Sequence, residues 1–475
     1  MNVLSRSEVN DGAKKPVKVL QFGEGNFLRA FIDWIFDIIN EKTDLNAGIQ
    51  IVQPIEKGMG NLINAQDGLY HVLLEGLENG RKTQTFRLIT SVNGITNPYE
   101  DYKAYLALAE NPDLEFIISN TTEAGIEFSP IDKNWALTPN TFPGKLTALL
   151  YHRFQYFNAK PPKDLTILPC ELVENNGQKL KKCILQYIDL WSLPTNFRDC
   201  IENDIIFCNT LVDRIVPGFP GSRIEKLQKV LGFKDQLVVS GEYFHLWVIQ
   251  GPEALKDKLH INKSGLNIIV TNNLEKYRTR KVRILNGAHT AMVAYGIMNG
   301  FQKVKDVIED QTAGQFIQDI LFKEVLPTLN LPEEELENYT KDVLDRFQNP
   351  FIEHYLIDIS LNSISKFRVR VLPSLLSYMA KFDKVPSGLA TSLAYLLLYY
   401  FEASKNNKTT LRDNEEIVAL FKDVYQKNNL KEATRTILSN EKLWGENLTR
   451  REKLIEYIYN KMNDIISGKV KFSEA

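Results

Sequence analysis

Two rhythms of apolar and polar residues take turns along the first half of the chain. VKVLQF (17–22) is short, apolar and β-branched at two positions, and a glycine follows it. Such a run predicts a buried parallel strand. FLRAFIDWIFDIINEK then places its apolar residues at helical spacing, and GIQIVQPI (48–55) reads as a second strand. YEDYKAYLALAENPD predicts a helix stopped at Asn-Pro, and LEFIISNTT (114–122) a strand. KLTALLYHRFQYF predicts a helix, LTILPCELV (165–173) a strand and LKKCILQYIDLW a helix. Alternation of this kind predicts a doubly wound parallel sheet.

Beyond about residue 275 the strand rhythm fades. KVRILNGAHTAMVAYGIM, AGQFIQDILFKEVLPTL, YLIDISLNSISKF, SGLATSLAYLLLYYFEA and the final LIEYIYNKMNDIISG all carry helical spacing. The expected fold is α/β: a Rossmann-like N-terminal domain with a parallel sheet over 1–275, then a mainly α-helical C-terminal domain over 276–475. SKNNKTTLRDN (404–414) reads as a polar loop.

Composition narrows the partners. With 44% hydrophobic and 24% charged residues, the 475-residue chain has material for sizeable cores. Its 57 basic and 59 acidic residues give a net charge of -2, with no basic stripe, so nucleic acid is not an expected partner. KDVIED near Lys305 and PEEELENY near Pro332 read as solvated helix faces. Cys170, Cys183, Cys200 and Cys208 lack the spacing of a zinc or redox motif and read as free thiols, so no metal is expected. The N-terminus has no signal-like apolar core. The longest apolar run, LAYLLLYYF (393–401), is shorter than a membrane span and reads as a buried helix. The expectation is a cytoplasmic protein, monomeric or a small homo-oligomer, acting on a small molecule away from membranes.

Candidate chemistry begins at Phe22-Gly23-Glu24-Gly25-Asn26-Phe27, between the first strand and its helix. Glycines there allow a tight bend and a close backbone approach to a pyrophosphate at a helix N-terminus. Leu28 stands where a full fingerprint has its third glycine, so an ordinary turn is the rival reading. The second strand ends Val52-Gln53-Pro54, with Glu56 beyond it; no acid sits at the ribose position, and no Arg is there for a 2′-phosphate. NAD is the expected cofactor.

Lys281-Val-Arg-Ile-Leu-Asn286-Gly-Ala-His289 is the most informative segment. Reduction of a ketone needs a hydride donor, a proton for the developing alkoxide and donors to hold that oxygen. A buried lysine can be acid and base, an asparagine is a neutral donor, and a His three residues on shares its helix face. On an ideal helix the three span an arc of about 140°, with Lys281 and His289 about 12 Å apart along the axis. One shared oxygen therefore requires a non-helical turn at Lys281 or a stem that reaches forward. The rival reading is a surface basic helix, since Arg278, Arg280 and Arg283 lie alongside.

Four further segments complete the candidate set. Asn120, Thr121 and Thr122, in SNTTEAG, follow a buried strand, where cofactors bind in such sheets. Asn176, in CELVENNG, follows another, although Asn176-Gly177 also suits a plain turn. Asp213, next to Arg214, is a candidate for substrate contact or for a structural ion pair. Lys366, Arg368 and Arg370 alternate, so an extended segment puts three cations on one face, either to hold an anionic substrate or as a solvated strand edge.

Taken together, these segments resemble the mannitol dehydrogenase family, in the same order over nearly the whole chain. IIFCNTLVDRIVP (205–217) is similar to the family signature, and QFGEGNFLRAF and QDGLYHV (66–72) are family-like. The resemblance implies NAD-dependent, metal-free hydride transfer to a sugar-derived ketone. It implies Lys281 as general acid/base, Asn286 in an oxyanion hole and His289 as substrate-orienting. Polyol enzymes of the family carry Cys-Asp-Asn where this chain has Cys170-Glu171-Leu172, so an oxyanion role there is vacant or passes to Asn176. The cationic segment favours a sugar-acid substrate. Sister enzymes acting on other ketoses, or a non-catalytic nucleotide-binding module, are the alternatives.

Overall fold

The structure is a computed structural model describing residues 1–9, 13–78, 81–122, 124–405 and 411–468. Residues 406–410 of the expected polar loop lie outside the described residues. The chain divides into two compact units, Met1–Glu78 with Thr83–Leu274, and Asn79–Lys82 with Glu275–Ala475.

The strands of the first unit are, in chain order, β1 (Val17–Phe22), β2 (Gly48–Val52), β3 (Tyr70–Glu78), β4 (Arg81–Ile89), β5 (Val92–Thr96), β6 (Phe116–Ser119), β7 (Thr166–Pro169), β8 (Ile206–Phe207), β9 (Asn209–Asp213), β10 (Val239–Gly241), β11 (Leu246–Gln250) and β12 (Ile268–Thr271). The main sheet has the order β5-β2-β1-β6-β7-β8, with every pair parallel. Both of its faces are covered, which is why its strands read as continuous apolar runs. Alternate residues serve opposite cores. Phe116, Ile118 and Leu168 pack with Phe31, Ile35 and Phe36 on one side. Ile117 and Ile167 pack with Leu146, Leu149 and Ile184 on the other. The order reverses around β1, whose neighbours are β2 and β6. That makes the carboxyl ends of β1 and β6 the switch point where doubly wound sheets bind ligands.

Several expected elements are shorter or interrupted. The strands expected to reach 55, 122 and 173 stop at Val52, Ser119 and Pro169, and the residues after them form the turns of the carboxyl edge. The first helix breaks at Phe31 (φ -123, ψ -73) into Asn26–Ala30 and Ile32–Lys42. Two three-stranded sheets, β10-β3-β4 and β12-β11-β9, had no counterpart in the apolar pattern. β4, RKTQTFRLI, is exposed or half-buried over most of its length, so it lacks the signature of a core strand.

The second unit is helical. At its centre lie Gly287–Met298 and Ser387–Lys405, the latter buried continuously from Leu389 to Tyr400. Ser392 Oγ donates to the Ala291 carbonyl at 2.8 Å across them. YLIDISLNSISKF splits at Asn362 (φ +55) into Leu356–Ile359 and Ser363–Arg370. The Lys366–Arg370 segment, read as extended, is therefore helix. Among the described residues no helix is long and apolar enough to cross a membrane.

Candidate active site

β1 ends in a turn shaped for glycine. Gly23 has φ +118, and a Cβ there would stand 2.9 Å from the Asn120 carbonyl oxygen. Gly23 N–H donates to Val52 O (3.2 Å), and Asn120 N–H donates to Phe22 O (3.1 Å). The turn is thus stitched to the ends of β2 and β6. Gly25 caps the Asn26–Ala30 helix in extended conformation, and nothing lies within 4 Å of a Cβ built on it. Backbone with open space before it, at a switch point, suits a pyrophosphate.

The side chains of this turn face inward. Arg29, 2% exposed, donates from Nε to Glu24 O, from Nη1 to Leu237 O and from Nη2 to Asn26 Oδ1 (3.1, 2.5 and 2.7 Å). Burial raises the pKa of the Glu24 carboxyl, which accepts from the Met59 backbone. Phe22 is fully buried, its ring against Tyr105 and Phe142. The side chains of Phe22 and Glu24 are thus buried, so any part they take in a cofactor turn is through their backbone. Asn26 is exposed, and the half-buried Phe27 stacks on Phe31 at 5.0 Å.

The next strand ends are locked in the same way. Glu171, 2% exposed, accepts from Ser119 Oγ and from both Thr121 N–H and Thr121 Oγ1, each at 3.0 Å. Asn120 Nδ2 donates to Cys170 O (3.1 Å), and Thr122 holds φ +90. Glu123 lies outside the described residues. Asn176 is 1% exposed; its Nδ2 donates to the carbonyls of Pro169, Glu171 and Thr210, and its Oδ1 accepts from Thr210 N–H. That amide has no donor left for a substrate oxygen, so the substrate role expected of Asn176 gives way to a structural one. Asp213 ends β9 and is buried. Its neighbour Arg214 donates to the carbonyls of Ala30, Tyr243 and Phe244 and lies 4.1 Å from the Trp34 ring centre. Burial pulls the Arg214 pKa down to about 9, against the pull of Glu242.

In the second unit, Lys281 closes the helix Leu274–Lys281, Val282–Asn286 is π-helical, and Gly287–Met298 is α-helical. A π turn bonds residue i to i+5, so the five-residue step from Lys281 to Asn286 makes about one turn. His289 follows at α-helical i+3. The π segment therefore changes the angular offset between the three residues while the run from Lys281 to His289 stays helical. The basic cluster is not a plain solvated surface. Arg280, 4% exposed, pairs with Glu335 at 2.5 Å and lies 4.2 Å from the Tyr339 ring centre.

His289 is 8% exposed, with ring-centre distances of 4.3 Å to Phe347 and 4.7 Å to His354. Burial, then His354, Arg346, Arg370 and Lys366, hold its pKa well below 6.5, so the ring is neutral. Its Nε2 has no hydrogen-bond partner among the described residues. Gly287 lets the Ser363–Arg370 helix come close: a Cβ there would stand 3.3 Å from Arg370 O. On that helix Lys366 and Arg370, four apart, share a face, whereas Arg368 points elsewhere. Lys366 Nζ donates to Ile359 O (2.8 Å). Arg370 is half-buried, and burial alone lowers its pKa. Arg368 is exposed and donates to Lys442 O at 3.2 Å. The three cations expected on one face are therefore two, and Arg368 leaves the set.

Two residues of this cluster escaped the sequence reading. Arg346 sits on the buried stripe Leu336, Tyr339, Thr340, Val343, Arg346, Phe347 of the helix Glu333–Phe347. An arginine within an apolar stripe at helical spacing was a usable signal, hidden behind the acidic start of the helix. Nothing in a single sequence singles out His354.

Residues 17–263 match the model of the mannitol dehydrogenase Rossmann domain, and residues 273–466 that of the mannitol dehydrogenase C-terminal domain. The chain belongs to the mannitol dehydrogenase family. Similar members include the altronate oxidoreductases of Bacteroides thetaiotaomicron (42% identical, covering 92% of each chain) and Bacillus subtilis (42% identical, covering 98% of this chain and 96% of that one). The fold is shared with a substrate-free D-sorbitol dehydrogenase (TM-score 0.80, 22% identity, covering 100% and 98% of the two chains). It is also shared with a Pseudomonas fluorescens mannitol 2-dehydrogenase (TM-score 0.66, 20% identity, covering 98% and 97%). The Rossmann domain of this family is built for a nicotinamide cofactor.

Proposed function

We propose that the protein is an altronate oxidoreductase (tagaturonate reductase), which reversibly reduces D-tagaturonate to D-altronate with NADH in hexuronate catabolism. The observation that carries the substrate class is the pair Lys366 and Arg370 beside the neutral His289, whose Nε2 has no hydrogen-bond partner among the described residues. A uronate offers a carboxylate to such a pair; a neutral hexitol offers nothing that needs it. The relatives of that name, 39–43% identical over nearly the whole chain, support the same reading.

When bound, the nicotinamide supplies the hydride for the ketone carbon and takes it back in oxidation. The backbone at Gly25 would hold the pyrophosphate, with Gly23 shaping the turn beside Asn26, Phe27 and the β6 end at Asn120–Thr122. NAD rather than NADP suits the turn after β2, which has no arginine and exposes Glu56. Lys281 gives its proton to the alkoxide oxygen, Asn286 donates to that oxygen, and His289 orients a substrate hydroxyl. Lys366 and Arg370 hold the carboxylate, and Arg346 adds to the positive field. Each role needs only proton transfer, hydrogen bonding or charge, so a metal has no task in this scheme.

Loss of NADH absorbance with D-tagaturonate, D-fructuronate and D-fructose tests the proposal. Rapid turnover of tagaturonate alone is expected. Preference for another ketose moves the substrate, and no turnover of any of them overturns the enzymatic reading.

A further inference from the structure

The run QFGEGNFLRAF contains one cation, Arg29, to which the proposed reaction gives no role. Arg29 is 2% exposed, and its guanidinium carbon lies 5.2 Å from the Tyr70 ring centre. Burial pulls its pKa down, against Tyr70, Asp33, Asp235 and Glu24. Taking a guanidinium out of water is costly unless its donors are all engaged. Here they are engaged by neutral oxygens rather than by an ion pair: Glu24 O, Leu237 O and Asn26 Oδ1. Two of those three acceptors belong to the residues on either side of Gly25.

The bond to Glu24 O decides how the next amide faces. In a planar trans peptide the C=O and the N–H point in opposite directions. With Glu24 O turned toward the buried Arg29 Nε, the Gly25 N–H of the same peptide is turned away from it. Gly25 is exposed, and its N–H has no hydrogen-bond partner among the described residues. Asn26 follows the same logic. Arg29 takes its Oδ1, which leaves Nδ2 as the free donor of an exposed side chain. Gly218 gives that amide room, since a Cβ there would stand 2.6 Å from Asn26 Nδ2. The support beneath is tied down at two further points. Arg29 Nη1 reaches Leu237 O, two residues before β10, and Arg214 Nη1 donates to the carbonyl of Ala30, the last residue of the helix Asn26–Ala30 (2.5 and 2.6 Å).

We propose that Arg29 is a positioning residue for the cofactor: by holding the Glu24 carbonyl and the Asn26 amide oxygen from below, it presents the Gly25 N–H and Asn26 Nδ2 to the pyrophosphate. Arg29 itself does not touch the ligand. The inference rests on the reading of this turn as the pyrophosphate site, and it stands whichever ketose the enzyme reduces.

The test is NADH fluorescence titration of the full chain and of Arg29→Lys, with ADP-ribose and adenosine as competing ligands. Lysine keeps the charge and loses the fixed fork that meets both oxygens. NADH and ADP-ribose carry the pyrophosphate, and each should bind about tenfold more weakly, as for one misaligned hydrogen bond. Adenosine lacks the pyrophosphate and should bind both proteins alike. A merely structural arginine would lower the melting temperature and weaken all three ligands together or none of them, and either pattern overturns the proposal. Asn26→Asp covers the case in which Arg29→Lys fails to fold. It keeps an acceptor for Arg29 Nη2 and puts a carboxylate oxygen in place of the Nδ2 donor. It should weaken NADH and ADP-ribose about tenfold or more and spare adenosine; undiminished NADH binding overturns the proposal. If the unaltered protein binds neither NADH nor ADP-ribose, the cofactor reading of the turn falls and takes the inference with it. If it binds both and the variants match it, the role of Arg29 alone falls.

Discussion

Gln53, Glu171 and Asn176 stand at the carboxyl edge of the parallel sheet, where a cofactor is expected, yet each points its polar atoms into the protein. Gln53 ties down Ile55, Glu56 and Gly60, Glu171 holds the end of β6, and Asn176 clamps β7 to β9. What that edge leaves open is backbone, at Gly25 above all. The helical unit is the reverse. Around His289 the backbone is closed in helices, and the uncommitted groups are side chains: the buried His289 Nε2, without a hydrogen-bond partner among the described residues, and the half-buried Arg370. The difference teaches a division of labour. Backbone amides recognise a pyrophosphate, which is common to many reactions. Side chains recognise the substrate, and they can change without disturbing the sheet.

If that division holds, chemistry and cofactor binding can be separated. Lys281→Ala should lower turnover by about three orders of magnitude and leave the NADH dissociation constant unchanged, checked by absorbance kinetics and by NADH fluorescence titration. Parallel loss of both would break the comparison. Next in size, Arg370→Met should raise KM for tagaturonate about 100-fold, the worth of a charge-assisted bidentate contact, with KM for NADH unmoved. His289 adds a pH statement. Its pKa is depressed, so the ring is already neutral above the ordinary histidine range and charges only in acid. His289→Gln should lower kcat/KM about tenfold, as expected for one lost hydrogen bond, without changing the shape of the pH profile between about 6.5 and 9. A missing ionisation in that window would assign His289 a titrating role.

How much of this was legible before the structure depended on which atoms carry the site. The parallel sheet was, because VKVLQF and LEFIISNTT are apolar on both faces. β3 and β4 were not, because half-exposed strands mix charges into their pattern. The spacing of Lys281, Asn286 and His289 was legible, and its misfit to an ideal helix falls where the structure has a π segment. The engagement of the Asn176 and Glu24 side chains was not legible, because a sequence shows that a polar group exists, not whether a neighbouring carbonyl or amide already engages it. Arg346 was missed because its helix was judged by its first turn.

On the cofactor side the expected effects are smaller. Gly25→Ala needs no unusual backbone, since φ is -65, and its Cβ enters open space. It should weaken NADH about tenfold by crowding the pyrophosphate while the melting temperature shifts little. Gly23→Ala is the contrasting case. There φ is +118 and the Cβ would meet Asn120 O at 2.9 Å, so strain of about 1–3 kcal/mol should lower the melting temperature as well. Equal losses of stability in the two variants would mean that Gly25 is structural, and the backbone half of the comparison would fail.

The smallest expected effect decides the most about the cationic segment. Arg368 differs from Arg370 by two positions, which an extended chain would place side by side and a helix turns by about 200°. It is exposed and engages Lys442 O, away from His289. Exposed polar contacts of this kind contribute little. Arg368→Ala should therefore leave KM for tagaturonate, KM for NADH and kcat within about twofold of the unaltered protein. The same assay that reads Arg370→Met reads this variant, so the pair forms an internal control. A rise in KM matching that of Arg370→Met would mean that both cations reach the carboxylate. The helix Ser363–Arg370 would then have to unwind when substrate binds, and the rigid side-chain cluster inferred for the helical unit would be wrong.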